Sequence, residues 1–272
     1  MKIYISADIE GVAGVVNPQH GVMGNGEYER ARRLMTQEVN AAVEGAFAGG
    51  ATDVLVNDSH GDMRNLLPED LDPRAEVILG KPKPINMFEG LTPEHVGVFC
   101  LGYHARARAH GILAHTVNGF AFGRIHLNGL ELGEAGLYGA YAGSLGVPVI
   151  LLTGDDCLQA ETQELFPGAT YAVVKHSLGQ RSARSLAPER ARALIRQKAE
   201  EAVRNAAAVE PFTLEGPCRL EVEFNSPAMC DLAAVIPAAT RLDAVRVAFS
   251  PESPEHALRW VNTLSALSSF LR

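Results

Sequence analysis

Short β-branched runs recur along this chain between longer amphipathic stretches, and that alternation restricts it to very few architectures. KIYISAD (2–8), DVLVNDS (53–59), AEVIL (75–79), HVGVFCLGY (95–103), PVILLTG (148–154) and ATYAVVK (169–175) are close to continuously apolar, as strands covered on both faces are. From Glu27 to about Phe47, the positions Ala31, Leu34, Met35, Val39, Ala42, Val43, Ala46 and Phe47 fall at helical spacing, and Gly49 and Gly50 stop the helix. GEAGLYGAYAGSLG (133–146), DDCLQAETQELF (155–166) and a long stretch from about Pro188 to Ala208 read as further helices. Thr153 or Asp155 caps the second of these, and the third carries its proline in the first turn. The predicted fold class is α/β, a mostly parallel sheet with helices on both faces.

After Glu210 the pattern changes to an alternating LEVEF (220–224), a helix near 228–234, VRVAF (245–249) and a last helix from about Pro254. A smaller C-terminal α+β portion is expected, with residues 1–208 as the catalytic α/β domain and 209–272 as a subdomain, or both in a single domain. The Asn-Gly pair at 128–129 predicts a hairpin turn between RIHL and LELG.

Composition narrows the partners. The net charge is −8, and Lys and Arg form no dense block, which speaks against a nucleic-acid binder that neutralises phosphates. No apolar run reaches the ~20 residues that span a bilayer. MKIYISADIEGVAGVV carries two acids in its apolar stretch and no small-residue cleavage site, and it reads as a cytoplasmic start. The four cysteines (Cys100, Cys157, Cys218, Cys230) form no CxxC pair and suit reduced structural thiols, although Cys157 opens a predicted helix where a thiol can be reactive. The glycines at 21, 24 and 26 form a flexible loop that lacks the G-K-[ST] ending of a phosphate-binding loop.

The ligand-type side chains fall at one place in this pattern. Asp8 and Glu10 lie two apart at the end of the first strand, so strand periodicity lets both carboxylates face one way. His60 follows the second strand, His104 follows LGY, and Glu134 opens a predicted helix. Open α/β sheets bind ligands beyond the carboxyl ends of their strands, so separate segments deliver five metal-ligand groups to one edge. A D-x-E at a strand end, or a histidine in a loop, is alone more often structural; the joint placement carries the argument. Oxygen and imidazole donors without thiolate suit Zn²⁺, and also Mn²⁺ or Co²⁺. Five ligands exceed the usual three of one catalytic zinc, and a bridging carboxylate, for which Asp8 is the natural candidate, would serve two metals ~3.5–4 Å apart.

SADIEG (6–11), NDSHGD (57–62), LGYHA (101–105), AHTVNG (114–119), NGLELGEAGL (128–137) and TGDD (153–156) resemble, in order and through nearly the whole chain, the zinc-dependent D-aminopeptidase family of the dipeptide-transport DppA type. The resemblance implies an aminopeptidase with two zinc ions that removes N-terminal D-residues, D-Ala especially, from short peptides. It implies Asp8 as the bridging ligand, Glu10, His60, His104 and Glu134 as the other ligands, and His115 as the family's catalytic nucleophile. It also implies a homo-oligomer, a decameric ring of two stacked pentamers. Glu131 competes with Glu134 as a ligand, and the G-E-x-G-L context selects Glu134.

Peptide hydrolysis needs the leaving amine protonated, which metals alone do not supply, so His115 is expected to do acid–base work rather than attack the carbonyl. Asp58 and Asp62 flank His60 as candidate tautomer-fixing carboxylates or exposed loop acids. Asn118 and Asn128 are candidate oxyanion donors or turn residues. His110, His126 and His176 have no partner pattern, and Asp155 and Asp156 fit helix N-terminal charges. Two other functions stay open. A dinuclear phosphoester hydrolase would use Arg64, Arg106 or Arg108 beside the metals, and a non-catalytic dipeptide-binding protein would capture peptides without cleaving them.

Overall fold

The computed structural model describes all 272 residues. β1 (Lys2–Ala7), α1 (Gly26–Ala48), β2 (Asp53–Asp58), β3 (Ala75–Ile78) and β4 (His95–Leu101) come first. β5 (Phe122–Leu127), β6 (Leu130–Glu131), α2 (Glu134–Ser144), β7 (Val149–Asp155), α3 (Asp156–Thr162), β8 (Thr170–Gly179), β9 (Ser182–Ser185) and α4 (Pro188–Asn205) follow. β10 (Leu220–Phe224), α5 (Pro227–Ala234), β11 (Thr240–Arg241), β12 (Arg246–Phe249) and α6 (Pro254–Ser268) complete the chain.

Seven strands form one sheet in the order β3-β2-β1-β4-β7-β8-β9, parallel except for β9 at the edge. From β1 the chain moves outward to β2 and β3, then returns to add β4, β7 and β8 on the other side. The order therefore reverses between β1 and β4, and the crevice beyond their carboxyl ends is where such sheets bind ligands.

Alternate residues of β1 enter two different cores. Ile3, Ile5 and Ala7 pack with α1 and α4 on one face, whereas Tyr4 joins α2, α6 and the second sheet on the other. That second sheet, β11-β12-β10-β5-β6, is antiparallel. It takes β5 and β6 from before residue 208 and β10 to β12 from after it. The predicted α/β class is the one observed, with both faces covered.

Gly50, one of the two glycines read as a helix stop, follows the end of α1 at φ +106°, and Asn25, which the periodicity did not single out, caps its start by accepting from Glu27 N and Tyr28 N. Asn128 and Gly129 take φ +51° and +82° in the β5–β6 turn, as a two-residue hairpin requires. The β8–β9 hairpin departs from the sequence reading. β8 runs on through His176 to Gly179 and pairs with β9, although this segment is polar and shows no apolar alternation. An antiparallel edge hairpin need not show the apolar run of a central strand.

Candidate active site

One close crossing of backbone assembles the site. Asp8 N donates to Leu101 O at 2.8 Å, which carries the β1–β4 pairing one residue past the strand, and Gly11 N donates to Gly102 O at 2.7 Å. A Cβ on Gly11 would lie 2.0 Å from Tyr103 O, and one on Gly102, at φ +67°, 2.2 Å from Asp8 O. Only glycine at both positions lets the loops after β1 and β4 touch, which sets Asp8 and Glu10 against His104.

Six predicted residues meet there. His60 Nδ1 lies 3.1 Å from Asp8 Oδ1 and 3.0 Å from Glu10 Oε2. His104 Nε2 lies 3.5 Å from Asp8 Oδ2 and 3.4 Å from Glu134 Oε2. Asp8 thus presents one oxygen to the Glu10–His60 pair and the other to the His104–Glu134 pair, and the donor atoms of each trio lie within 4.8 Å of one another. His115 stacks on His104, centroids 4.2 Å apart at 13°, with its Nε2 3.7 Å from Glu134 Oε1. Its donor atom also falls within 4.8 Å of those of Glu10 and His104. Its side chain is 25% exposed, against 3% for Asp8 and 1% for His104, so it is the member most open to a substrate.

The donor set fits metal ions. Each imidazole has its outer nitrogen at a backbone carbonyl: His60 Nε2 at Gly21 O (2.8 Å), His104 Nδ1 at Ala105 O (2.9 Å) and His115 Nδ1 at Leu113 O (3.0 Å). An N–H donated outward leaves the inner nitrogen as a bare lone pair facing carboxylates, the tautomer a metal ligand needs. His104 Nε2 and Glu10 Oε2 are buried without a hydrogen-bond partner. Such orphans are costly unless something else satisfies them. Zinc bonded at about 2.0–2.2 Å to nitrogen and oxygen holds its ligand atoms about as far apart as His104 Nε2 stands from its two carboxylates.

The electrostatics also call for added positive charge. Burial and the Glu10 charge together push Asp8 above the ordinary carboxylate range. Burial pushes Glu10 the same way, but the charge of His60, 3.0 Å away, outweighs it and holds Glu10 well below. His60 and His104 are held well above the usual imidazole range, because Glu10 and Glu134 respectively, with Asp8, overcome the burial penalty. Three carboxylates buried in one pocket are stable only beside cations, whether protons on imidazole or metal.

The other candidates lie outside the cluster. Glu131 pairs with Arg106 (3.3 Å) and Arg124 (3.2 Å), while Glu134 faces His104 and accepts from Val117 N at 2.6 Å. Asp58 is buried and accepts from Asn65 N, Asn65 Nδ2 and Leu66 N, so it shapes the loop that holds His60; it is neither exposed nor bonded to the imidazole. Asp62 pairs with Lys81 at the surface. Asn118 is committed to Ser265, Ser268, Phe120 and Ala121, and Asn128 to Glu215 and Arg219. Arg64, Arg106 and Arg108 are tied to Asp62, to Glu131 with Glu161, and to Glu223. Asp155 caps α3 by accepting from Leu158 N, and Asp156 accepts from Ser177 N and faces His176. Cys157 donates to His110 O, and burial pushes its thiol up to about 11, the reverse of a reactive thiolate. His126 sits in the antiparallel sheet opposite Glu131.

Two further residues support the centre. Gly21, in the glycine loop, closes over His60 and supplies the carbonyl that fixes its ring. Lys175, 1% exposed at the carboxyl half of β8, donates to the carbonyls of Glu10, Val12 and Val15 at 2.5–3.0 Å and so pins the loop that presents Glu10. A lysine ending an apolar strand run, at the same sheet edge as the acids and histidines, was the signal for it. Burial pushes its ammonium down to about 8 from 10.5, so this group adds stability as pH rises through that window, where the unfolded chain binds more protons. Lys175→Met relieves that penalty but strands the carbonyls of Glu10 and Val15 at about 1–3 kcal/mol each, while Val12 O keeps its bond from Val15 N. The expected net loss is about 1–3 kcal/mol in urea unfolding at pH 7, with a flatter stability profile between pH 8 and 10.5.

Two cavities open on the cluster. One of 620 Å³ is lined by Asp8, His60, His115 and Glu134, and one of 670 Å³ by Glu10, His60 and His115 with Gln180 and Arg181 of the β8–β9 turn. His60 and His115 stand where the two meet, and each volume is in the range that holds a small ligand. A family model described as D-aminopeptidase matches residues 1–263. The chain belongs to the D-aminopeptidase family. A D-aminopeptidase of Bacillus subtilis (strain 168) is 38% identical over 237 residues, which is 87% of this chain and 86% of that protein. A solved structure, the Zn-dependent D-aminopeptidase DppA from Bacillus subtilis, described as a self-compartmentalizing protease, superposes with a TM-score of 0.96 at 34% identity, covering 99% of this chain and 98% of that one.

As a D-aminopeptidase the chain is a peptide hydrolase, and its α/β architecture is that of the solved relative. Neither phosphoester hydrolysis nor peptide capture without cleavage gains support, and the three arginines that the former would use are each neutralised by a carboxylate. No helix is long and apolar enough to cross a membrane.

Proposed function

We propose that this D-aminopeptidase is zinc-dependent and uses two ions, Asp8 bridging them, with Glu10 and His60 completing one set of ligands and His104 and Glu134 the other. The observation that carries this reading is the division of the Asp8 carboxylate between two trios, Oδ1 toward His60 and Oδ2 toward His104. Support for zinc comes from the donor set and from the solved relative, described as Zn-dependent. When bound, zinc supplies Lewis acidity, polarising a carbonyl and making water acidic near neutral pH.

The protein's own groups supply the rest. His115, with Nδ1–H donated to Leu113 O, keeps Nε2 free at the junction of the cavities. It takes a proton from the attacking water at Nε2 and returns it to the departing amine. Lys175 and Gly21 fix Glu10 and His60, so the carboxylates and imidazoles are in place before substrate arrives. The substrates are short peptides with an N-terminal D-residue, D-Ala foremost, and the enzyme works in the cytoplasm alongside dipeptide transport. The relative's description as self-compartmentalizing supports a homo-oligomer for this chain, and the family resemblance makes that oligomer a decameric ring.

Metal analysis of the purified protein, with release of D-alanine from D-Ala peptides, tests the reading. Two zinc ions per chain are expected, with activity lost on chelation and restored by zinc. Activity indifferent to chelation, or cleavage confined to L-peptides, would overturn it.

A further inference from the structure

The 620 Å³ cavity holds more positive charge than the chemistry described above uses. Besides Asp8 and Glu134 its wall carries Lys81, Lys83 and Arg272. Lys81 is neutralised by Asp62 at 2.8 Å. Arg272 lies over the Phe120 ring, 5.0 Å from its centroid, with one hydrogen bond to Asn118 Oδ1 at 3.3 Å. Lys83 is different. Its ammonium is half-buried and donates to Asn57 Oδ1 at 2.7 Å and Asp58 O at 2.8 Å, both neutral acceptors, while its third contact, Ile78 O at 3.5 Å, is long. Asn57 is itself oriented, its Nδ2 donating to Met87 O at 2.7 Å and Asn86 O at 3.1 Å, which turns Oδ1 toward Lys83. A cation is thus fixed in the wall of the active-site cavity without a paired carboxylate and with one donor poorly used.

Burial outweighs the unbonded charges of Asp58 and Glu89 and pushes this ammonium down to about 8 from 10.5. An anion entering the cavity would relieve that burial penalty. Short peptides bring one: a di- or tripeptide with its scissile bond at the Asp8–Glu134 cluster and its C-terminal end extended into this cavity would direct its free α-carboxylate at the wall that Lys83 lines. We propose that Lys83 is the subsite for the terminal carboxylate of the peptide substrate, so that the enzyme selects short peptides by binding both of their ends. This rests on the D-aminopeptidase reading and deepens it, making the free terminal carboxylate of those short peptides a recognised group.

The test compares D-alanyl-D-alanine with D-alanyl-D-alanine amide, which differs from it only in lacking the charged carboxylate, on the zinc-loaded enzyme. Wild type is expected to favour the free acid in kcat/KM by about 10- to 100-fold, the usual worth of a charge-assisted hydrogen bond. In Lys83→Met that preference falls to within a few-fold of unity, chiefly through a raised KM for the acid, and Lys83→Arg restores part of it. A purely structural role for Lys83 would depress both substrates together and leave their ratio as in wild type, which would sink the proposal. So would a wild type indifferent to the carboxylate, or a preference that survives in Lys83→Met and disappears in Arg272→Met. Zinc content and circular dichroism confirm that each variant is folded, and if Lys83→Met is not, Lys83→Gln takes its place. Failure of wild type to cleave either substrate would count against the D-aminopeptidase reading itself.

Discussion

Asp8→Ala is expected to leave a folded protein that retains no zinc and hydrolyses D-Ala peptides at least about 10³-fold more slowly than wild type. Each proposed ion loses a ligand at once, because the two oxygens of this carboxylate face different trios. Loss of Glu10 or Glu134 would subtract a ligand from one trio only. The fold itself works against the Asp8 charge, since burial and Glu10 raise its pKa. In chelator, therefore, Asp8→Ala should melt no lower than wild type, whereas added zinc should raise the melting temperature of wild type alone. Zinc measured by plasma emission spectroscopy at two ions per chain in the variant would remove Asp8 from the bridge.

His115→Ala is expected to give the complementary result, two zinc ions retained and turnover reduced by about 10²- to 10⁴-fold. The ring stacks on His104 without fixing it, because His104 is oriented by its own bond to Ala105 O. Its departure therefore leaves both trios intact while removing the group proposed to move the proton. With 25% of the side chain exposed, the vacated space is open to solvent, and added imidazole should restore part of the rate. Loss of one zinc ion from this variant would instead make His115 a ligand, a role its approach to Glu10 and His104 allows geometrically.

Much of the fold was legible from local pattern. β1, β2, β4 and β7 are apolar on both faces because a parallel sheet covered by helices leaves no wet face, and such runs stand out in a sequence. α1 and α4 were readable from spacing and from Gly49, which stops the first, and Pro188, which opens the second; the Asn25 cap of α1 was not read. β9 was not, because its side chains sit at a sheet edge where solvent removes the pattern. The joining of β5 to β10 was equally hidden, since strands almost a hundred residues apart carry no mark of their pairing.

The site divides in the same way. Residue type and strand-end position were enough to single out Asp8, Glu10, His60 and His104, because a parallel sheet sends all its carboxyl ends to one edge, whereas Glu134 was singled out as the residue that opens α2. Asp58 and Lys83 lay beyond such reading. The first serves the His60 loop rather than the imidazole, and the second becomes a cavity cation only through Asn57 and the turn at 86–87. By itself the sequence determined which groups stand at which strand ends, for this depends on contacts between near neighbours in the chain. Only the tertiary structure decided that one carboxylate would face two trios, that carbonyls would lie at the outer imidazole nitrogens, and which cations would stay unpaired. Those outcomes depend on ångström-scale distances between distant segments, fixed here by the crossing of Gly11 over Gly102.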